Sequence, residues 1–152
     1  SHMENWLSDE EEEAWRSWIT ATRQLYAHLG QEMHDEFGLS IGDYEILVRL
    51  SEGPEQRLRM SKLAKLTLAS RSRLSHQIDR MEKAGLVRRE ANPDDRRGLF
   101  AVLTPQGETA LKEAAPFHVD GVRRNVFDIL TKQELATVAT VSRKVLAQLE
   151  SS

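Results

Sequence analysis

Residues 58–85 contain two short stretches of helical periodicity separated by only four residues. The spacing of apolar residues predicts one helix over residues 58–66, and the four residues after it are too few for anything but a turn. Ser70 or Ser72 can cap a second helix, which Gly85 ends. Two short helices joined by a tight turn form a helix-turn-helix unit. The side chains predicted to face its core are Leu63, Ala64, Leu74, Ile78 and Met81.

Two extended runs follow this unit and surround a turn. Residues 86–90 and 96–103 flank the tetrapeptide Asn-Pro-Asp-Asp at residues 92–95, a composition typical of turns. This pattern predicts a β-hairpin, and a hairpin that directly follows a helix-turn-helix in the sequence is called a wing. The predicted fold class is therefore mainly α with a small β-hairpin wing (α+β), a winged helix-turn-helix lobe joined to a helical part.

A long amphipathic helix is predicted ahead of this lobe. Ser8 and Glu11 form a capping box, and apolar residues recur at three- and four-residue spacing up to the region of Phe37. A further helix, capped by Ser40 and broken at Gly53, connects it to the lobe.

Two more helices are predicted after the wing. Thr104 followed by Pro105 is a helix start, and this helix is expected to run to about residue 130. Thr131 opens a second capping box, which begins a last helix ending near residue 149. The predicted order is four helices, a hairpin and two helices.

The charge of the chain is divided between segments. The whole chain has a net charge of −3, but residues 57–97 carry 12 basic and 5 acidic side chains, a net charge of +7. Residues 1–56 have a net charge of −10. A basic block of this size suits a polyanion such as nucleic acid, although a solvated charged surface would give the same count.

Composition excludes several classes of protein. The absence of cysteine rules out a disulfide framework, a thiol switch and cysteine-ligated zinc. The longest apolar run has five residues, at 99–103, which is too short for a membrane span. No phosphate-binding loop or nucleophile motif is present, so we expect neither an enzyme nor a cofactor. Residues 1–2 resemble a tag remnant, and a length of 152 residues fits one domain.

The fourth predicted helix has side chains suited to reading DNA. Arg71 and Arg73 can each make two hydrogen bonds to guanine, and Gln77 can do the same to adenine. Serines and backbone N–H groups at the helix start can donate to phosphates. An ordinary solvent-exposed helix face is the alternative. The predicted DNA contacts on this helix are Ser70, Arg71, Ser72, Arg73, Ser75, His76, Gln77 and Arg80.

The hairpin tip carries a second set of predicted DNA contacts. Arg97 can enter a minor groove, whose negative potential favours a guanidinium. Asp95 can hold that guanidinium in a bidentate pair and orient it. Arg96, Arg88 and Arg89 are expected to contact phosphates or to remain solvated.

Three stretches of the chain resemble the MarR (multiple antibiotic resistance regulator) family of winged helix-turn-helix transcription factors. Residues 60–64 look like the first helix of its DNA-binding lobe, and residues 71–87 are similar to its recognition helix with a Gly-Leu-Val exit. Residues 92–107 are the closest match, since they combine the Asp-x-Arg wing motif with a strand and Leu-Thr-x-x-Gly. The matching order of elements covers residues 8–149.

This resemblance implies a homodimer that binds a palindromic operator in double-stranded DNA. Residues 3–152 would form a single domain, in which about residues 8–37 and 105–149 make the dimerisation part and residues 40–104 the winged lobe. Such a regulator, more often a repressor, acts in the cytoplasm and associates with the nucleoid. The apolar residues expected at the dimer surface are Trp15, Trp18, Leu130, Leu135, Val138, Val141, Val145 and Leu149.

The resemblance also implies a small effector, commonly a phenolic or aromatic acid, that shifts the dimer between DNA-competent and incompetent states. Packing within the core is the alternative interpretation for each aromatic side chain. No membrane partner is expected. The residues chemically suited to an aromatic anion are Trp15, Trp18, Arg23, Tyr26 and His28.

Two alternatives stay open at this point. The same fold can serve as a protein–protein module without DNA binding, which would require an apolar or acidic face on the fourth helix. A metal-responsive regulator would need His34, Asp35, Glu36 and His118 to converge, because His28 and His34 are six residues apart and lie on different helix faces.

Overall fold

The computed structural model describes residues 6–152, except for the side chains of residues 95–97. The chain divides into two units, Ser1–Phe117 and His118–Ser152. Across the described residues, every helix is too short or too polar to cross a lipid bilayer. The helices are α1 (Asp9–Phe37), α2 (Ile41–Glu52), α3 (Met60–Thr67), α4 (Arg71–Lys83), α5 (Pro105–Asn125) and α6 (Lys132–Glu150), and the strands are β1 (Arg57–Arg59), β2 (Val87–Asn92) and β3 (Asp95–Leu103).

Side-chain caps set where the helices begin, as the sequence predicts. Ser8 and Thr131 form capping boxes at the starts of α1 and α6, each closed by a glutamate three residues later. Ser40 and Ser70 accept hydrogen bonds from the backbone N–H of the third residue of α2 and of α4. Gly38 ends α1 in the left-handed conformation (φ 66°), which glycine adopts without steric cost.

The core of the first unit is built around α2, α3 and α4. Ile46, Leu47 and Leu50 of α2 are fully buried and belong to one cluster with the apolar stripes of α3 and α4. Burial of a side chain of this size contributes about 1.5–3 kcal/mol. The residues predicted for the core of the helix-turn-helix, all of them buried, are Leu63, Ala64, Leu74, Ile78 and Met81.

A third strand completes the sheet, which the sequence pattern did not indicate. β1 pairs antiparallel with β3, placing Leu58 opposite Ala101, and the strand order is β1-β3-β2. The helix predicted over residues 58–66 is therefore wrong at its start, because Leu58 and Arg59 belong to β1. Three residues are too few to show an alternating pattern, and the strand forms because it pairs with the free edge of β3.

The wing is confirmed as an antiparallel hairpin of β2 and β3. Val87 pairs with Leu103 at its base, and the register becomes irregular between Ala91 and Asn92, next to the turn. Asn92 is buried, and its side-chain oxygen accepts the backbone N–H of Asp94 at 3.0 Å. This side-chain bond closes the turn in the way that makes asparagine frequent at such positions.

α5 is shorter than predicted. The helix was expected to reach about residue 130, but it ends at Asn125, and Val126 leaves the helical region (φ −127°, ψ −68°). The side-chain amide of Asn125 donates to the Gly121 carbonyl at 2.8 Å, a local bond that competes with continuation of the helix. Pro116 lies inside α5 and does not end it.

α6, in the second unit, leaves its apolar edge exposed on the single chain. None of its residues is buried. The tryptophans of α1 in the first unit, Trp15 and Trp18, are also 50% and 42% exposed. Exposed apolar side chains that recur along one helix are typical of a surface that binds another molecule. The exposed apolar side chains of α6 are Leu135, Val138, Val141, Leu146 and Leu149.

The close approach of α5 to the residue before β2 predicts the effect of a small substitution. A β-carbon at Gly107 would lie 2.0 Å from the backbone oxygen of Leu86, so the backbone would have to move. We expect Gly107→Ala to lower the free energy of unfolding by about 1–3 kcal/mol in urea denaturation. Gly30→Ala is the control, because its β-carbon would meet Ile41 at 3.4 Å, an ordinary contact. Equal unfolding midpoints for the two variants would contradict this packing.

Candidate nucleic-acid interface

The exposed side of α4 is cationic because its other side is held in the core. Leu74, Ile78 and Met81 are at most 1% exposed, which fixes the rotation of the helix about its axis. The guanidinium groups of Arg71 and Arg73 make no hydrogen bond or ion pair with the described part of the chain, which leaves both available to a ligand. The α4 side chains that face solvent include Arg71, Ser72, Arg73, His76 and Arg80.

The start of α4 is arranged to receive an anion. The Ser70 hydroxyl accepts the backbone N–H of Arg73 at 3.2 Å, and the Ser70 and Ser72 hydroxyl oxygens lie 3.4 Å apart. Backbone N–H groups of the first turn have no partner within a helix, and the positive end of the helix dipole lies beside them. Phosphate groups bind readily at such a helix end when cationic side chains accompany it.

Gln77 is held by a carboxylate instead of facing solvent freely. Its Nε2 donates to Asp43 Oδ1 at 2.7 Å, and Asp43 is only 8% exposed. Arg80 approaches the other oxygen of the same carboxylate at 3.6 Å. These contacts join the start of α2 to the middle of α4. Gln77 would have to break its hydrogen bond to Asp43 to bind an adenine. The contact of Gln77 with a base therefore stays a prediction.

Arg89 joins the wing to α4. Its guanidinium donates to Asp79 at 2.6 Å, and to the backbone oxygen and hydroxyl of Ser75 at 3.0 and 3.1 Å. Glu82 accepts the backbone N–H of Arg89 at 2.9 Å. The expectation that Arg89 contacts phosphates or stays solvated is wrong, because these groups of α4 hold a side chain that is 20% exposed. The Ser75 hydroxyl, a predicted DNA contact, is used in the same network.

A second cluster of charges ties β1 to the base of the wing. Glu90 accepts hydrogen bonds from both Arg88 and Arg57, and these arginines hold the pKa of Glu90 below its usual value. The Arg57 guanidinium also lies 5.5 Å from the centre of the Phe100 ring, on β3. Two of the basic residues counted in the +7 block are therefore occupied by a carboxylate.

The side chains at the tip of the wing lie outside the described residues. The predicted contacts of Asp95, Arg96 and Arg97 with DNA therefore stay predictions. The backbone places all three at the start of β3, with Asp95 across the turn from Asn92.

The five residues predicted for an aromatic acid do not gather at one place. Trp15 and Trp18 pack edge to face with ring centroids 6.2 Å apart, and His28 pairs with Glu32 at 2.8 Å. Arg23 is exposed. A helix rises 1.5 Å per residue, so the backbone positions of Trp15 and His28 are about 20 Å apart along α1. One small molecule does not reach both ends of this set.

Tyr26 lines an open groove of about 420 Å³ beside the start of α4. Its hydroxyl donates to Glu45 at 3.0 Å, and burial together with that carboxylate raises the pKa of Tyr26 to about 12. Leu68, Arg73 and His76 line the same groove. Tyr26 is therefore the one predicted effector residue that this groove contains.

Potential metal ligands were also predicted as an open alternative. Among the described side chains, no three histidine, aspartate or glutamate groups lie close enough together to hold a metal ion. Asp35, from the predicted set, accepts the side-chain amide of Gln31 at 2.8 Å.

Asp43 and Arg89 shape this interface and were not identified from the sequence. No local pattern singles out Asp43, because its bond to Gln77 joins residues 34 positions apart. Arg89 was predicted to contact phosphates or to remain solvated, although the carboxylates of Asp79 and Glu82 on one face of the predicted helix were a signal for a partner.

The chain is similar to known transcriptional regulators along nearly its whole length. The MarR family model matches residues 39–99. AbsC, a MarR family transcriptional regulator from Streptomyces coelicolor, shares 46% sequence identity with this chain. Its crystal structure matches with a TM-score of 0.91 over 97% of this chain and 99% of AbsC. The structure of Sco3205, a regulator of the same family and organism in complex with DNA, is 45% identical with a TM-score of 0.92, covering 95% and 91%. The transcriptional regulator HosA of Escherichia coli O111:H- is 29% identical over 125 residues, which are 82% of this chain and 90% of HosA.

The contacts of Arg89 predict that it matters more to stability than the arginine beside it. Arg89→Met would leave Asp79 and Ser75 without their partner, and we expect the free energy of unfolding to fall by about 1–3 kcal/mol. Arg88→Met is the matched control, because the Arg88 side chain is 52% exposed and should change stability much less. Urea denaturation of the two variants measures both effects. Equal losses of stability in the two variants would show that the contacts of Arg89 contribute no more than the exposed ion pair of Arg88.

Proposed function

Because the chain belongs to the MarR family, we propose that it is a homodimeric transcriptional regulator that binds double-stranded DNA sequence-specifically through α4 and the wing. The observation that carries this proposal is the exposed cationic face of α4, on which the side chains of Arg71 and Arg73 have no partner among the described residues. The related structure of Sco3205 is a complex with DNA. We propose repression as the mode of regulation, and the cytoplasm as the place where such a regulator meets the chromosome.

The two parts of the surface take different roles on the duplex. Arg71 and Arg73 are the candidates for paired hydrogen bonds to guanine in the major groove. Ser72 and the N–H groups at the start of α4 suit phosphates, which fix position without reading sequence. Arg97, oriented by Asp95, is the candidate for the adjacent minor groove.

A homodimer is part of the proposal because apolar side chains stay exposed on the single chain. Those side chains are Trp15 and Trp18 on α1 and the apolar edge of α6. We propose that about residues 8–37 and 105–149 form the dimerisation part, within one domain of residues 3–152. Two winged lobes then predict a palindromic operator with half-sites about one helical turn apart. A local net charge of +7 lets an acidic chain bind DNA.

A small aromatic acid is the proposed effector class, and its site is the less supported part of the proposal. Tyr26, Arg73 and His76 line one groove next to α4. An anion bound there would occupy side chains that DNA also needs. The protein–protein alternative is disfavoured, because the exposed face of α4 is neither apolar nor acidic.

The first test is fluorescence anisotropy of a labelled duplex from the region upstream of the chain's own gene. We expect tight binding at low salt that weakens steeply as salt rises, because bound phosphates release counterions. A shuffled duplex of the same length is the control and should bind more weakly. Absence of binding at low salt by a folded dimer would contradict the proposal.

Arg73 tests whether α4 reads bases. We expect Arg73→Ala to weaken binding to the preferred duplex by about 1–3 kcal/mol and to relax base preference at one position of each half-site. Arg143→Ala is the matched control, because Arg143 is an exposed cation on α6 outside the winged lobe. A loss that is equal on all sequences would make Arg73 a phosphate contact instead.

A further inference from the structure

Leu68 occupies a position that its side chain does not favour. It follows the last residue of α3, and its φ of 56° and ψ of 32° lie in the left-handed region. Its backbone N–H bonds to the Ala64 and Lys65 carbonyls, which ends the helix. A left-handed conformation brings Cβ against the backbone, so glycine usually fills such a position. The other non-glycine residues with positive φ in the described part of the chain, Glu55 and Gln56, are polar.

The Leu68 side chain is also almost completely exposed. It is 94% exposed, while Ile129, the next most exposed large apolar side chain among the described residues, is 73% exposed. Leu68 therefore contributes nothing to the core, and a glycine would hold the turn with less strain. Neither packing nor turn geometry accounts for a leucine here.

The surroundings of Leu68 are cationic. It lies two residues before Ser70, the cap of α4, and it lines the same groove as Arg73 and His76. Lys65 and Arg71, on either side of the turn, are exposed as well. An apolar side chain beside the exposed side chains of Lys65, Arg71 and Arg73 suits a partner that is a polyanion with an isolated apolar group. Duplex DNA has this combination, because the thymine C5-methyl group projects into the major groove between the two phosphate backbones.

We infer that Leu68 contacts a thymine methyl group at the edge of the major groove and makes the protein prefer thymine at one position of each half-site. The inference rests on the proposed function, since it requires α4 to lie in the major groove. It assigns the helix-turn-helix turn a part in sequence recognition, in addition to the face of α4.

The test removes the methyl group from the DNA and the side chain from the protein. Duplexes preferred by the wild-type chain are first selected from a random pool, and each thymine is then replaced by deoxyuridine, which lacks only the C5-methyl. Each thymine is replaced singly. At one position of each half-site, we expect that single replacement to weaken wild-type binding about fourfold, the equivalent of one buried methyl group. For Leu68→Ala the thymine and deoxyuridine duplexes should bind equally. Leu68→Met, which keeps an apolar side chain, should retain the difference.

Leu68→Gly separates recognition from folding. This variant should raise the melting temperature, because glycine relieves the left-handed strain, while it loses thymine preference. A wild-type chain that selects no duplex overturns the proposed function and this inference with it. Wild-type selection with full thymine preference in Leu68→Ala overturns the inference about Leu68 alone. Equal weakening of the thymine and deoxyuridine duplexes by Leu68→Ala also overturns it, since the contact would then be with the DNA backbone.

Discussion

The guanidinium of Arg89 holds the wing against α4, and the geometry of the whole proposed DNA-facing surface depends on that contact. Its partners Ser75, Asp79 and Glu82 lie along one side of α4. A shift of the wing would leave the largely buried guanidinium of Arg89, whose side chain is 20% exposed, without its partners, which costs more free energy than an exposed ion pair contributes. The spacing between the element suited to the major groove and the element suited to the minor groove is therefore set before DNA is bound.

Local signals explain why so much of the fold was predictable. The capping boxes at Ser8 and Thr131 and the cap at Ser40 each depend on residues within one helical turn, and all three form as predicted. Of the two serines predicted as alternatives for the cap of α4, Ser70 forms it. The stripe of Leu74, Ile78 and Met81 depends only on helical periodicity. Because that stripe is buried, it also fixes which side chains of α4 face solvent.

Contacts between residues distant in sequence account for what was not predictable. β1 needs β3 as its partner, and the bond of Gln77 to Asp43 spans 34 positions, so no local pattern announces either. Arg88 and Arg89 look equivalent in the sequence, yet adjacent residues of a strand point to opposite faces. Their side chains are 52% and 20% exposed, and only the second reaches α4. A count of charges does not separate paired cations from free ones.

The close packing of Gly107 against the Leu86 backbone fixes the start of α5 against the segment that connects α4 to β2. Thr104 donates its hydroxyl to the Gly85 carbonyl at 2.6 Å and accepts the Gly107 N–H at 3.0 Å, while its own N–H bonds to the Leu86 carbonyl at 3.2 Å. Gly85 directly follows the last turn of α4. We therefore expect the first turn of α5 and the end of α4 to move together, because direct hydrogen bonds join them.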